Sequence, residues 1–218
     1  MIKCTLEQIY NNAIYISIAH ALFTFREPFF SFEHSWDDMN YCFNYGSIRG
    51  TVSFDFEHSA VVGAARNENI LFNKSFISNN SISLFQNSSN IVMNIAKNET
   101  LEYLYYDSDG KQFPVATVGF WNDDDYMILS ENIESFDNDG GSYFLELFKS
   151  ESLFRDYAIN QYKLDRTDMD LVELIYTNIR NKNFEIILPT KYHYIFELEG
   201  AEEGMESLLE IGVSFKLE

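Results

Sequence analysis

Along the chain the apolar positions recur first at helical spacing and then at strand spacing. Leu6, Ile9, Tyr10, Ala13, Ile14, Ile18 and Ala21 follow one another at steps of three and four behind a Thr5-Leu6-Glu7-Gln8 capping pattern, which predicts a helix over about residues 5–23. After Pro28 the period becomes two. Met39, Tyr41, Phe43 and Tyr45 alternate with polar residues, Gly46-Ser47 breaks the run, and Val52, Phe54 and Phe56 alternate again, so a hairpin is expected. Ser59 to Arg66 reads as a third strand, with Gly63 marking a bulge or a close backbone approach. Residues 67–100 are polar and rich in Asn and Ser; they read as an irregular excursion whose one candidate element is a strand over Ile91 to Ala96.

Order returns at Leu101. Leu101, Tyr103 and Tyr105 alternate, Asp107-Ser108-Asp109-Gly110 signals a turn, Val115 to Trp121 is expected to return as the partner strand, and Tyr126 to Leu129 as another short one. Helical spacing then resumes over Tyr143 to Phe148 and Leu153 to Tyr162. It is clearest in Leu171, Val172, Ile175 and Ile179, behind Asp168 and Asp170 in the first turn, where the helix dipole favours anions. Phe184 to Leu188 and Tyr192 to Glu197, on either side of Pro189-Thr190, predict a last hairpin. A helix over Glu202 to Glu210 ends at Gly212 before a strand from Val213 to Leu217.

Strands early and helices late predict an α+β fold: a curved antiparallel sheet with an N-terminal helix and a helical C-terminal third. No linker divides the chain, so residues 1–218 are read as one domain, with Val52, Phe54, Phe56, Leu171, Val172 and Ile175 expected in the core. Composition supports a real core, because 20 Phe, 14 Tyr and 2 Trp stand against only 3 Pro and 10 Gly. The formal charge is −19. The Lys/Arg excess that gives proteins their general affinity for phosphate is missing, so nucleic acid and anionic lipid are not expected as direct partners. Seven basic and 12 acidic residues precede position 121 and 8 and 22 follow it, so the negative field is concentrated in the C-terminal half.

No run reaches ~18 uninterrupted apolar residues, so no membrane span is expected. The apolar stretch Ala13 to Phe23 is interrupted by His20 and preceded by Asn11-Asn12, against a secretory leader. Cys4 and Cys42 make no framework, and a reducing, cytoplasmic setting is expected. The sequons at Asn73, Asn79, Asn87 and Asn98 then carry no meaning.

The sequence lacks G-x-S-x-G, H-E-x-x-H, P-loop and G-x-G-x-x-G signatures, and no catalytic residue or cofactor is assigned. Phe32-Glu33-His34-Ser35 and Phe56-Glu57-His58-Ser59 repeat a tetrapeptide, but neighbours on a strand point to opposite faces, so exposed strand-end histidines are preferred to a metal site. Ser135 to Glu146, with Asp137, Asp139 and Gly140, fits half of an EF-hand frame; an Asp/Asn/Gly turn capping a helix near Ser142 explains it without calcium. Arg49 and Arg66 are scarce cations read as internally paired. The competing enzyme or ligand-binding reading gathers them with His34 or His58 in a pocket. The candidate binding surface is Trp121, Asp123, Asp124, Asp125 and Tyr126, an acidic loop between aromatics, followed by Trp36, Asp37 and Asp38.

Trp36-Asp37, four residues beyond Phe32, Arg49-Gly50, Val62-Gly63-Ala64 with Arg66-Asn67, and Ala116-Thr117 with Phe120-Trp121 together form a layout that resembles a group of bacterial proteins regarded as immunity proteins of polymorphic toxin systems. Thr117-Val118-Gly119-Phe120-Trp121-Asn122 stands where that group is expected to carry Thr-Thr-Ala-Phe-Trp-Gly. The resemblance brings no functional residues. It implies a cytoplasmic protein that binds and neutralises a cognate toxin; the acidity and the missing catalytic motifs, which point to a stoichiometric binder of a basic partner such as a nuclease and not to an enzyme, are compatible with it.

Overall fold

The computed structural model of the chain describes residues 1–29, 32–71, 81–108 and 110–217. Asn73, Asn79 and Asp109 therefore lie outside the described residues. Contacts cluster into two compact units, residues 1–10 with 36–149 and residues 11–35 with 150–218. In chain order the early elements are β1 (Ile2–Lys3), α1 (Leu6–Thr24), β2 (Phe32–Asp37), β3 (Asn40–Tyr45), β4 (Ile48–Asp55), β5 (Ala60–Asn67), α2 (Glu68–Leu71) and α3 (Asn90–Asn98). β6 (Tyr105–Ser108), β7 (Lys111–Pro114), β8 (Val118–Asp123), β9 (Tyr126–Leu129), α4 (Ile133–Phe136) and α5 (Ser142–Leu147) follow. The C-terminal third holds α6 (Glu151–Tyr162), α7 (Arg166–Arg180), β10 (Glu185–Leu188), α8 (Ala201–Glu210) and β11 (Ser214–Leu217). The class is α+β, with an N-terminal helix, a large antiparallel sheet and a helical C-terminal part.

The sheet has seven strands in the order β1-β9-β8-β5-β4-β3-β2. Its centre is dry on both faces, for all eight residues of β5 are buried. On one face Ala60, Val62 and Ala64 of β5 and Trp121 of β8 meet Val92, Ile95 and Ala96 of α3, together with Phe85, Leu101 and Leu104 from two short 3-10 turns. On the other, Phe120 packs edge-on against Phe144 and Phe148, each at 4.8 Å between ring centres, and Phe43 packs on Tyr143 at 4.4 Å. Gly63 is a close approach and not a bulge. Its register with β4 is unbroken, and a Cβ there would run into the Phe120 ring.

Several local expectations are corrected. Ile91 to Ala96 is helical, because Ser89 accepts the Val92 N–H as an N-cap and Val92, Ile95 and Ala96 fall at helical spacing toward the core. The strand that returns from the 107–110 turn is β7, not Val115 to Trp121; Leu101 to Leu104 forms a 3-10 turn, and β8 pairs instead with β5 and β9. Tyr192 to Glu197 is also 3-10, so β10 forms no hairpin and pairs in parallel with β11. Phe56 is 47% exposed because β4 ends at Asp55, whereas Val52, Phe54, Leu171, Val172 and Ile175 are buried as expected. Asp137–Gly141 is a π-helical turn running into α5. Gly140 takes φ 119° there, and the Asp139 carbonyl accepts a hydrogen bond from Thr117.

In the second unit α1, α6, α7 and α8 supply the core. The Arg155 guanidinium lies 5.1 and 5.2 Å from the ring centres of Tyr15 and Tyr176 and pairs with Glu151 and Glu173 at 2.6 and 2.7 Å. His20, His34 and Tyr162 form a buried cluster. The imidazoles are 4.8 Å apart between ring centres, and His34 Nε2 is 2.7 Å from the Tyr162 hydroxyl.

Candidate partner-binding groove

The acidic loop is the β8–β9 turn. Asp123 and Tyr126 are paired across the strands, which leaves Asp124 and Asp125 as the two turn residues, and Asp124 adopts φ 51°, a left-handed conformation that Asp tolerates better than most residues. Asn122 ties this turn to its neighbour. Its Oδ1 accepts from the Val61 N–H at 2.7 Å, while its Nδ2 donates to the Ser59 carbonyl at 2.8 Å. From the other side the Cys4 N–H donates to the Asp125 carbonyl at 2.9 Å. The backbone is thus held at several points, while the carboxylates of Asp123, Asp124 and Asp125 stay exposed.

The neighbouring β4–β5 turn is held by its own side chains. Asp55 accepts the His58 backbone N–H at 3.0 Å through Oδ1 and meets the His58 ring Nδ1 at 2.8 Å through Oδ2. Slight burial acts to raise the Asp55 carboxyl, but the hydrogen bonds from His58 outweigh it and hold the group below its ordinary value. The Asp55 hydrogen bond and charge push the His58 imidazole up in turn, and Glu57 adds to the effect.

Between these two turns and the first residues of α1 and α3 lies an open groove of about 820 Å³. Glu7, His58, Asp123, Asp124 and Asp125 supply its titratable groups, and Phe56 and Ile91 its exposed apolar surface at 47% and 43%. Tyr126 stands exposed at the end of the acidic turn. Carboxylates on a held turn thus stand beside exposed apolar side chains, an arrangement that offers charge and apolar contact together.

The structure redistributes the predicted site residues. Trp121 is only 7% exposed and packs on Phe85 in the α3-side core, so it is no contact anchor; alternation along β8 turns it inward. Trp36 is half-buried against Tyr10 and Phe54, Asp37 accepts the Tyr103 hydroxyl at 2.7 Å, and Asp38 occupies the β2–β3 turn at φ 53°. None of these three lines the groove.

Arg49 and Arg66 face each other across β4 and β5 and share Glu68, at 3.9 and 3.0 Å. Arg66 also donates to the Tyr105 carbonyl at 2.9 Å, an internal pairing as expected. His58 precedes β5 and Arg66 lies near its far end, so about 20 Å of strand separates the imidazole from the arginines. His34 belongs to the other unit and is buried, not an exposed strand-end histidine. Among the described residues no group of three or more His, Cys, Asp or Glu is placed to hold a metal ion.

Sequence reasoning missed Glu7, Phe56, Ile91 and the role of His58. A usable signal was present in Asp55-x-x-His58 across a turn, the spacing at which an Asp side chain reaches a backbone N–H and its ring. Comparison with protein-family models, with curated proteins and with solved structures finds no match.

Proposed function

We propose that this protein acts by binding, without catalytic turnover, and neutralises a basic partner protein, in the manner of an immunity protein toward its toxin. The observation that carries the reading is the groove, in which Asp123 to Asp125 and Glu7 are held beside Phe56 and Ile91 on a chain of charge −19. A toxin whose cleft must accept phosphate, such as a nuclease, presents the complementary positive surface. Carboxylates seated there occupy the phosphate ground, and apolar contacts slow release. A cytoplasmic setting belongs to this reading, and among the described residues Cys4 and Cys42 form no disulfide. Among the described residues no helix is long and apolar enough to cross a membrane.

The test is binding kinetics at low and high salt against a basic nuclease toxin, sought among the genes that adjoin the one encoding this chain. Asp123→Asn, Asp124→Asn and Asp125→Asn together are expected to slow association and flatten its salt dependence, because rim charges act on encounter. Phe56→Ala or Tyr126→Ala is expected to speed dissociation, at a cost on the order of 2 kcal/mol. An association rate indifferent to both salt and the three Asn substitutions rejects the acidic groove as the contact.

A further inference from the structure

Resting on that reading of the groove, we infer that His58 makes its grip on a cationic partner segment proton-linked: the groove binds more tightly when the imidazole is neutral and loosens when it is protonated. The geometry supplies the argument. Among the described residues His58 is the one groove-lining side chain able to take a positive charge, and it is half-exposed on the β4–β5 turn. The charged groups acting on it directly are Asp55 and Glu57 on its own turn, while Glu7 from the start of α1 and Asp123, Asp124 and Asp125 from the β8–β9 turn line the same groove. The α3 edge, Ser89, Ile91 and Val92, contributes no charged side chain.

With the ring neutral, Asp55 adds one negative charge to this wall. With the ring protonated, Asp55 and His58 form an ion pair of no net charge, and a cation entering the groove meets one attraction fewer. Binding a cation therefore favours the neutral ring and releases a proton, so affinity rises with pH through the range where His58 titrates. That range lies above the ordinary histidine value of 6.5, because Asp55 holds the proton on. The turn geometry keeps the ring at this post. The Asp55 clamp fixes Nδ1 and the backbone together, and Ser59 follows at φ 53°.

The experiment uses the whole chain and an N-acetylated, C-amidated hexa-arginine peptide, whose guanidinium groups stay charged throughout and contribute no titration of their own. Affinity is measured by calorimetry at low salt between about pH 6 and about pH 9, with the His58 ring protons followed by NMR in the free and bound states. The expected result is binding about two- to fivefold tighter at the upper end, an effect of one screened surface charge, with the His58 titration displaced to lower pH by the peptide. His58→Gln, an exposed substitution, is expected to lose most of the pH dependence, whatever its affinity at any one pH. If the wild type binds with the same pH profile as His58→Gln, the proton linkage is overturned and the groove stands. If no peptide binds at any pH, the cationic-partner reading and the linkage fall together.

Discussion

A histidine buried without a charge is a commitment about pH. His20 and His34 are both buried, and His20 Nδ1 has no hydrogen-bond partner among the described residues. Burial pushes His20 down to about 4, and burial together with His20 holds His34 well below the ordinary 6.5. Because the folded state disfavours the charged rings, the stability gained from keeping them neutral is complete above about pH 6.5 and is lost as pH falls toward about 4. For His20 alone the loss amounts to on the order of 3 kcal/mol across that window. Urea unfolding of the wild type is expected to show a midpoint that drops between pH 6.5 and 4.5, and His20→Gln should flatten the drop. Equal slopes for the two proteins would show that the acid sensitivity resides elsewhere.

At the scale of elements, α7 shows how few residues a helix end depends on. Asp165 accepts the N–H groups of Thr167 and Asp168 at 2.7 and 2.9 Å, and Asp168 returns the favour to the Asp165 N–H at 3.0 Å while pairing with Arg26 at 2.8 Å. Asp165→Ala is expected to destabilise the protein by about 1 kcal/mol, read as a lower urea midpoint with an unchanged denaturant slope. Elements with such punctuation were legible in the sequence: the Thr5 cap of α1, the amphipathic stripe of α7, and the alternating β3 and β4 around Gly46. Elements whose identity rests on tertiary partners were not. Ile91 to Ala96 is rich in β-branched residues and fits either period, and only the Ser89 cap and a buried stripe make it a helix. Tyr192 to Glu197 looks like a strand, but its backbone is 3-10, and β11 takes the place it was expected to fill beside β10. Half of the acidic site was legible, because Asp and Asn mark turns. Its apolar half was not, since Phe56 alternates with core residues and is exposed only because the strand ends one residue earlier.

For the molecule as a whole, a net charge of −19 is a standing electrostatic load on the folded state. Most ion pairs among the described residues are at least partly exposed, so screening weakens them little in absolute terms while relieving repulsion among many carboxylates. Raising sodium chloride from about 0.05 M to about 0.5 M is therefore expected to increase the urea midpoint, although the same change weakens the groove's hold on a cationic partner. A midpoint that falls with salt would mean that the ion-pair networks around Arg155 and Glu68 outweigh the repulsion.

The interleaving of the two units also sets a timetable for synthesis. Residues 11–35 belong with residues 150–218, yet the ribosome makes the whole of 36–149 in between. At roughly 5–20 residues per second, α1 waits on the order of 6 to 20 s for the helices that cover Tyr15, His20 and Phe25. During that interval the nascent chain carries a segment that is buried over nearly all of residues 12–25 in the finished protein, and its apolar side chains wait without the partners that will cover them.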